Sequence, residues 1–220
     1  MELSGKKLVF LGDSITEGVG TSAPDKRYWE VVAQKTGAVC KGFGISGTRI
    51  ARQQNPGVPA ENFCHDYNHF ITRVDKMDAD ADVVMVLGGV NDYGHGDAPF
   101  GAMGDRTLDS FYGALHVLYT TLVEKYPTAR IVIMTPLHWD AEDRIKETAD
   151  GRSLILKDYV NAIREVAEYY SFPVLDLYAA SGIQPKLTVQ KEYYMPDGLH
   201  PSDNGNARMA ECIVAFLNNL

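Results

Sequence analysis

The 220-residue sequence predicts an α/β protein, a three-layer α/β/α sandwich built on a five-stranded parallel sheet. Three observations carry that expectation. Short apolar runs alternate five times with longer amphipathic segments. The strongest run, "DVVMVLGG" (Asp82–Gly89), is continuous and β-branched, as expected of a strand covered on both faces. Apolar residues at 45% and charged residues at 23% match an ordinary globular composition, and no repeat or linker-like shift divides the chain. Residues 1–220 are therefore expected to form a single domain.

"KLVFLG" (Lys7–Gly12) reads as the first buried strand. "DKRYWEVVAQKTG" follows as a helix with Tyr28, Val31 and Val32 on one face and Gly37 as its stop. Tyr28 and Trp29 are expected to pack that helix. "AVCKGF" is a weaker second strand, because Lys41 and Gly42 interrupt it. After the central strand, "LDSFYGALHVLYTTLVEKYP" spaces Leu108, Phe111, Leu115, Leu118 and Leu122 helically, with Pro127 marking the end. "ARIVIMTP" is the fourth strand. "LILKDYVNAIREVAEYY" offers Leu156, Val160, Ile163 and Ala167 as a helix face. "FPVLDLY" is the fifth strand and "NGNARMAECIVAFLNNL" the closing helix. Two long connections, 48–81 and 93–107, are expected to shape a pocket. In such sheets ligands sit beyond the carboxyl ends of the strands, so site residues should fall just after strands.

A formal charge of −8 argues against nucleic acid, which needs a basic face, and against an anionic membrane surface. Neither a secretory signal nor an apolar stretch approaching the roughly 20 residues of a membrane span is visible. Three scattered cysteines (Cys40, Cys64, Cys212) do not make a disulfide framework. The expectation is a reduced, cytoplasmic chain.

Four stretches stand at strand ends or in loops: "GDSIT", "GISGT", "GGVND" and "DGLHPS". Ser14 follows the first strand, where a serine either caps a helix or attacks a substrate. Attack needs a base to take its proton, and "Asp197-Gly-Leu-His200" offers an imidazole with a carboxylate three residues before it. The alternative is that Asp197 or Ser202 caps the last helix beside a bystander His200. An oxyanion hole would need donors aimed at a developing negative charge. The N–H of Ser14, the N–H of Gly47 and the Asn91 amide are candidates, although loop glycines and Asn-Asp pairs are also ordinary turn residues. The conjunction of all four stretches, in order and at strand ends, favours chemistry.

That conjunction resembles the SGNH hydrolases, also called the GDSL family of esterases and lipases, across nearly the whole chain. The resemblance implies a flavodoxin-like SGNH hydrolase fold, a hydrolase of ester bonds, and no metal or organic cofactor. It implies that Ser14 is the nucleophile, His200 the general base and Asp197 its orienting group. Ser14 N–H, Gly47 N–H and the Asn91 amide would hold the oxyanion. Many relatives carry an asparagine five residues before the second-block glycine; Gly42 stands there here, a change expected to affect loop support.

Asp13 reads as more structural than acid–base. Asp13, Tyr93, His95, His138 and Trp139 are candidate pocket residues, and an aromatic among them could stack on a sugar. His65 and His69 have helical i, i+4 spacing that could hold zinc, but no third ligand is evident. The expected partner is a small-molecule acyl ester, first an acetylated sugar, making the chain a carbohydrate O-acetyl esterase. The alternatives are a lysophospholipase- or thioesterase-type acylhydrolase and, in another class, a non-catalytic carbohydrate- or nucleotide-binding module. Against the last, "GDSITEGVG" lacks the glycine spacing of phosphate-binding loops.

Overall fold

The first predicted strand forms over Lys7–Gly12 (β1) in the computed structural model, which describes residues 2–54 and 69–220. Its side chains alternate between two cores. Val9 and Leu11 join one apolar cluster, while Leu8 and Phe10 join another on the opposite face. Val83–Leu87 (β3) and Arg130–Met134 (β4) behave in the same way, with Val84, Val86, Ile131 and Ile133 on the first face and Met85, Leu87, Val132 and Met134 on the second. A strand with two buried faces has no polar face to alternate, which explains the unbroken apolar runs.

The second strand, Val39–Gly44 (β2), lies at one edge, and Val174–Leu175 (β7) lies at the other. The sheet is parallel throughout, in the order β2-β1-β3-β4-β7. Between the last two strands a short antiparallel hairpin forms from Lys146–Glu147 (β5) and Ser153–Leu154 (β6). No apolar pattern marks these two-residue strands. This architecture is the predicted three-layer α/β/α sandwich.

Phe111–Lys125 (α5) and Leu156–Tyr169 (α6) cover the first face, and Tyr28–Thr36 (α2) and Asp203–Asn218 (α9) cover the second. Leu108 falls outside its expected helix: the Ser110 hydroxyl accepts from Gly113 N–H and caps α5 there instead. Tyr28, Trp29 and Val32 are buried in α2, which ends at Gly37 in the left-handed region. Five short helices were not anticipated: Ser14–Glu17 (α1), Ile71–Val74 (α3), Val90–His95 (α4), Leu177–Ala180 (α7) and Thr188–Tyr194 (α8). No helix among the described residues is long and apolar enough to cross a membrane.

The strand order places a topological switch between β1 and β3, because the chain leaves β1 to one side and returns on the other. The crevice beyond their carboxyl ends is where this class of sheet binds ligands. Ser14 follows β1 and Asn91 follows β3.

Candidate active site

Asp13, not Ser14, caps α1: its Oδ1 accepts from Ile15 N–H at 3.0 Å. Ser14 is thereby the first helical residue, and its hydroxyl is available to a partner. That partner is His200. Ser14 Oγ lies 3.0 Å from His200 Nε2, although the two are separated by 186 positions. On the far side of the ring, His200 Nδ1 lies 2.6 Å from Asp197 Oδ2. A carboxylate only accepts, so Nδ1 carries the proton and Nε2 is left to accept from the serine hydroxyl.

Asp197 is fixed by its own loop, where Oδ1 accepts from Leu199 N–H at 2.9 Å and His200 N–H at 2.7 Å. Partial burial raises its carboxyl, but the bonds from the His200 backbone, the His200 ring and Leu199 outweigh it and hold the group below the ordinary range. Asp197 is therefore ionised at neutral pH. Gly198 makes the loop possible, with φ +84° and Asp140 packed where a Cβ would stand. Asp140 N–H donates to Gly198 O at 3.1 Å, tying the loop to the segment after β4. Ser202, the other candidate cap, does begin α9.

The second block turns at Ile45–Thr48, with Gly47 at φ +71°. Glu17, at the end of α1, accepts from both the backbone N–H (2.6 Å) and the hydroxyl of Ser46. Arg73, 2% exposed, donates to Gly12 O at 2.7 Å, Phe43 O at 2.8 Å and Thr48 Oγ1 at 2.9 Å. Burial lowers its guanidinium to about 10 against the opposing charges of Asp13 and Glu17, so it remains a cation. One buried arginine thus joins the carboxyl ends of β1 and β2 to the Gly47 turn.

Asn91 lies in the first turn of α4, and its Nδ2 donates to Thr48 O at 3.1 Å. Next to it, Asp92 accepts from Ile50 N–H and Ala51 N–H, both at 2.9 Å, and so locks the same loop from β3. Ser14, Gly47 and Asn91 therefore follow three adjacent strands, β1, β2 and β3, whose paired ends are Gly12, Gly44 and Leu87.

Burial pushes the carboxyl of Asp13 up to about 6, against the Ile15 bond and the charges of His200 and Arg73. Asp92 is likewise raised by burial to about 6, against the N–H bonds from Ala51 and Ile50.

The tentative pocket residues divide. Tyr93 is buried, and its hydroxyl donates to the carbonyls of Ala141 and Arg144. Its ring meets Trp139 edge-on at 5.7 Å. Both line a cavity of about 190 Å³ together with Gly94, Arg144, Ile145 and Lys146. His138 instead bonds Glu142 at 2.7 Å and packs its ring, tilted, against Tyr178 with 3.9 Å between centroids. Burial raises Glu142, but His138 and Lys186 overcome it and hold the carboxyl at about 2. His95 reaches Asn91. Of the His65/His69 pair, His65 lies outside the described residues; among the described residues no three His, Cys, Asp or Glu side chains gather to hold a metal.

Sequence reasoning missed Glu17 and Arg73 altogether. Asp92 alone carried a signal, its place beside Asn91 in "GGVND".

A model of the GDSL-like lipase/acylhydrolase family matches residues 10–208. A solved structure 37% identical to the chain covers 100% of it and 99% of its own length, with a TM-score of 0.86. A protein from Lactobacillus plantarum is 30% identical, covers 98% of each chain and has a TM-score of 0.81. The lipase/acylhydrolase from Enterococcus faecalis shares the fold at 18% identity and TM-score 0.65, covering 97% of this chain and 96% of its own. So does a two-domain esterase active on acetylated mannans, at 18% identity and TM-score 0.60, covering 98% of this chain and 49% of its own. No curated protein matches the chain.

Proposed function

Because the chain belongs to the GDSL-like lipase/acylhydrolase family of ester-hydrolysing enzymes, we propose that it is a serine esterase working through an acyl-enzyme on small acyl esters. Ser14 Oγ attacks the carbonyl carbon while His200 Nε2 takes its proton. Asp197 holds the ring in the productive tautomer and stabilises the imidazolium. The Ser14 and Gly47 N–H groups and the Asn91 amide receive the charge that develops on the carbonyl oxygen. When the tetrahedral intermediate collapses, the bond to the leaving oxygen breaks and His200 returns the proton to the alcohol. Water, deprotonated by the same histidine, then cleaves the Ser14 ester and releases the acid. Every proton in this cycle passes through protein and water.

The observation that carries this reading is the relay from Ser14 to His200 (3.0 Å) and on to Asp197 (2.6 Å). It lies at the ligand-binding end of the sheet.

For the substrate we favour a short acyl group on a saccharide, an O-acetyl ester. The cavity beside α4 is small, about 190 Å³, and Trp139 and Tyr93 give it aromatic walls. The esterase active on acetylated mannans shares this fold, which makes such esters the first to assay. The second reading, a lysophospholipase- or thioesterase-type acylhydrolase, draws on Leu187 (56% exposed) and Val189 (80% exposed), in and just before the helix that leads to Asp197.

The two separate in one assay. p-Nitrophenyl esters of increasing chain length are compared with acetylated oligosaccharides. Acetate is expected to be the fastest ester, and the oligosaccharides to release acetate. A preference for octanoate and longer chains would overturn the saccharide reading in favour of the second.

A further inference from the structure

The oxyanion role given to Asn91 depends on which way its carboxamide faces, and the surrounding groups determine that direction chemically. Asn91 Nδ2 lies 3.1 Å from Thr48 O, a group that can only accept. The amide nitrogen therefore faces Thr48 and the amide oxygen faces the opposite way. There Oδ1 lies 3.0 Å from His95 Nε2, which must then be the donor. His95 Nδ1 lies 2.8 Å from Arg49 Nη1, and a guanidinium can only donate. Nδ1 is thus the unprotonated nitrogen and Nε2 the protonated one. The Arg49 and Thr48 contacts each require this same tautomer.

His95 is exposed as a residue, while its ring nitrogens lie within hydrogen-bond distance of Arg49 and Asn91. Lost hydration there, then the charges of Arg49 and Lys146, push the imidazole down to about 4. The ring is therefore neutral wherever an esterase of this kind would work. Asn91 and His95 stand one turn apart on α4, so their side chains share a face. Of the two N–H groups on Asn91, one is taken by Thr48 O, and the other is the one an oxyanion could use.

We propose that His95, held by Arg49, is a positioning residue: it accepts from the guanidinium, donates to Asn91 Oδ1, and so presents the free Asn91 N–H to the oxyanion. This rests on the esterase reading above. Without His95 the amide can rotate, and the fraction of molecules with a donor in place falls. The effect should appear in kcat, because the oxyanion exists in the transition state and not in the bound ester.

The test is a double-mutant cycle on p-nitrophenyl acetate with His95→Leu, His95→Gln, Asn91→Ala and the pair Asn91→Ala/His95→Leu. Removing an oxyanion donor typically costs about 10²–10³ in kcat, which is the loss expected for Asn91→Ala. His95→Leu is expected to lower kcat roughly tenfold with KM nearly unchanged, a fraction of that full loss. His95→Gln keeps a donor near the Nε2 position and should recover most of the rate. The double variant should be no slower than Asn91→Ala, because a missing amide has no orientation to lose. A structural defect would instead multiply through the cycle. Wild-type rates in His95→Leu, no rescue by glutamine, or multiplying losses would each overturn the proposal. A wild-type chain that hydrolyses no ester would fail differently, overturning the esterase reading and this proposal with it.

Discussion

Asp13 holds a buried carboxylate directly before Ser14, with Oδ1 bonded to Ile15 N–H and Oδ2 without a hydrogen-bond partner. Its carboxyl titrates at about 6 in the fold against an ordinary 3.8, chiefly because of burial. Below 3.8 both folded and unfolded chains are protonated there. Between about 4 and 6 the folded chain holds a proton that the unfolded chain has lost, so stability falls as pH rises through that window. Above about 6 the ionised group costs the fold on the order of 3 kcal/mol. Asn at position 13 keeps an oxygen for the cap and removes the charge. The thermal midpoint of Asp13→Asn should therefore fall less than wild type between pH 4 and pH 7, as followed by circular dichroism. Parallel profiles would contradict this origin of the pH dependence. From sequence a capping role stayed open for Ser14, because Asp and Ser are both good caps and adjacent; the structure gives it to Asp13.

At the scale of elements, Gly42 shows why an edge strand reads poorly. It breaks the apolar run of β2, yet the break has a packing cause: a Cβ there would stand 2.5 Å from the Trp29 ring. Trp29 is itself anchored, its Nε1 donating to Thr16 O at 2.9 Å. Gly42→Ala should cost about 1–3 kcal/mol by overpacking. That corresponds to a thermal midpoint lower by roughly 2–12 °C, and an unchanged midpoint would show that the ring yields freely. The central strands are legible because burial on both faces leaves an uninterrupted apolar signature. The long helices are legible from one apolar face, as Leu156, Val160, Ile163 and Ala167 in α6 illustrate. Four-residue α1 and six-residue α4 are too short for periodicity to register, although they carry Ser14 and Asn91.

Across the whole molecule, the strand order 2-1-3-4-7 creates a crevice between β1 and β3; Ser14 and Asn91 follow those strands, and Ser14 meets His200 and, through it, Asp197. They are legible because each sits in a compact block directly after or before an element boundary. The groups that hold them are not. Arg73 reaches Gly12 across 61 positions, and Asp92 reaches Ile50 across 42. No spacing rule marks such partners, whose roles follow from where the fold brings their loops. The central claim is that this crevice makes Ser14 a nucleophile, and the most direct measurement is covalent. The protein is treated with a fluorophosphonate and the modified peptide identified by mass spectrometry. The expected result is one adduct, on Ser14, absent from Ser14→Ala and His200→Ala. A wild-type protein that remains unlabelled, or one labelled equally without His200, would contradict it.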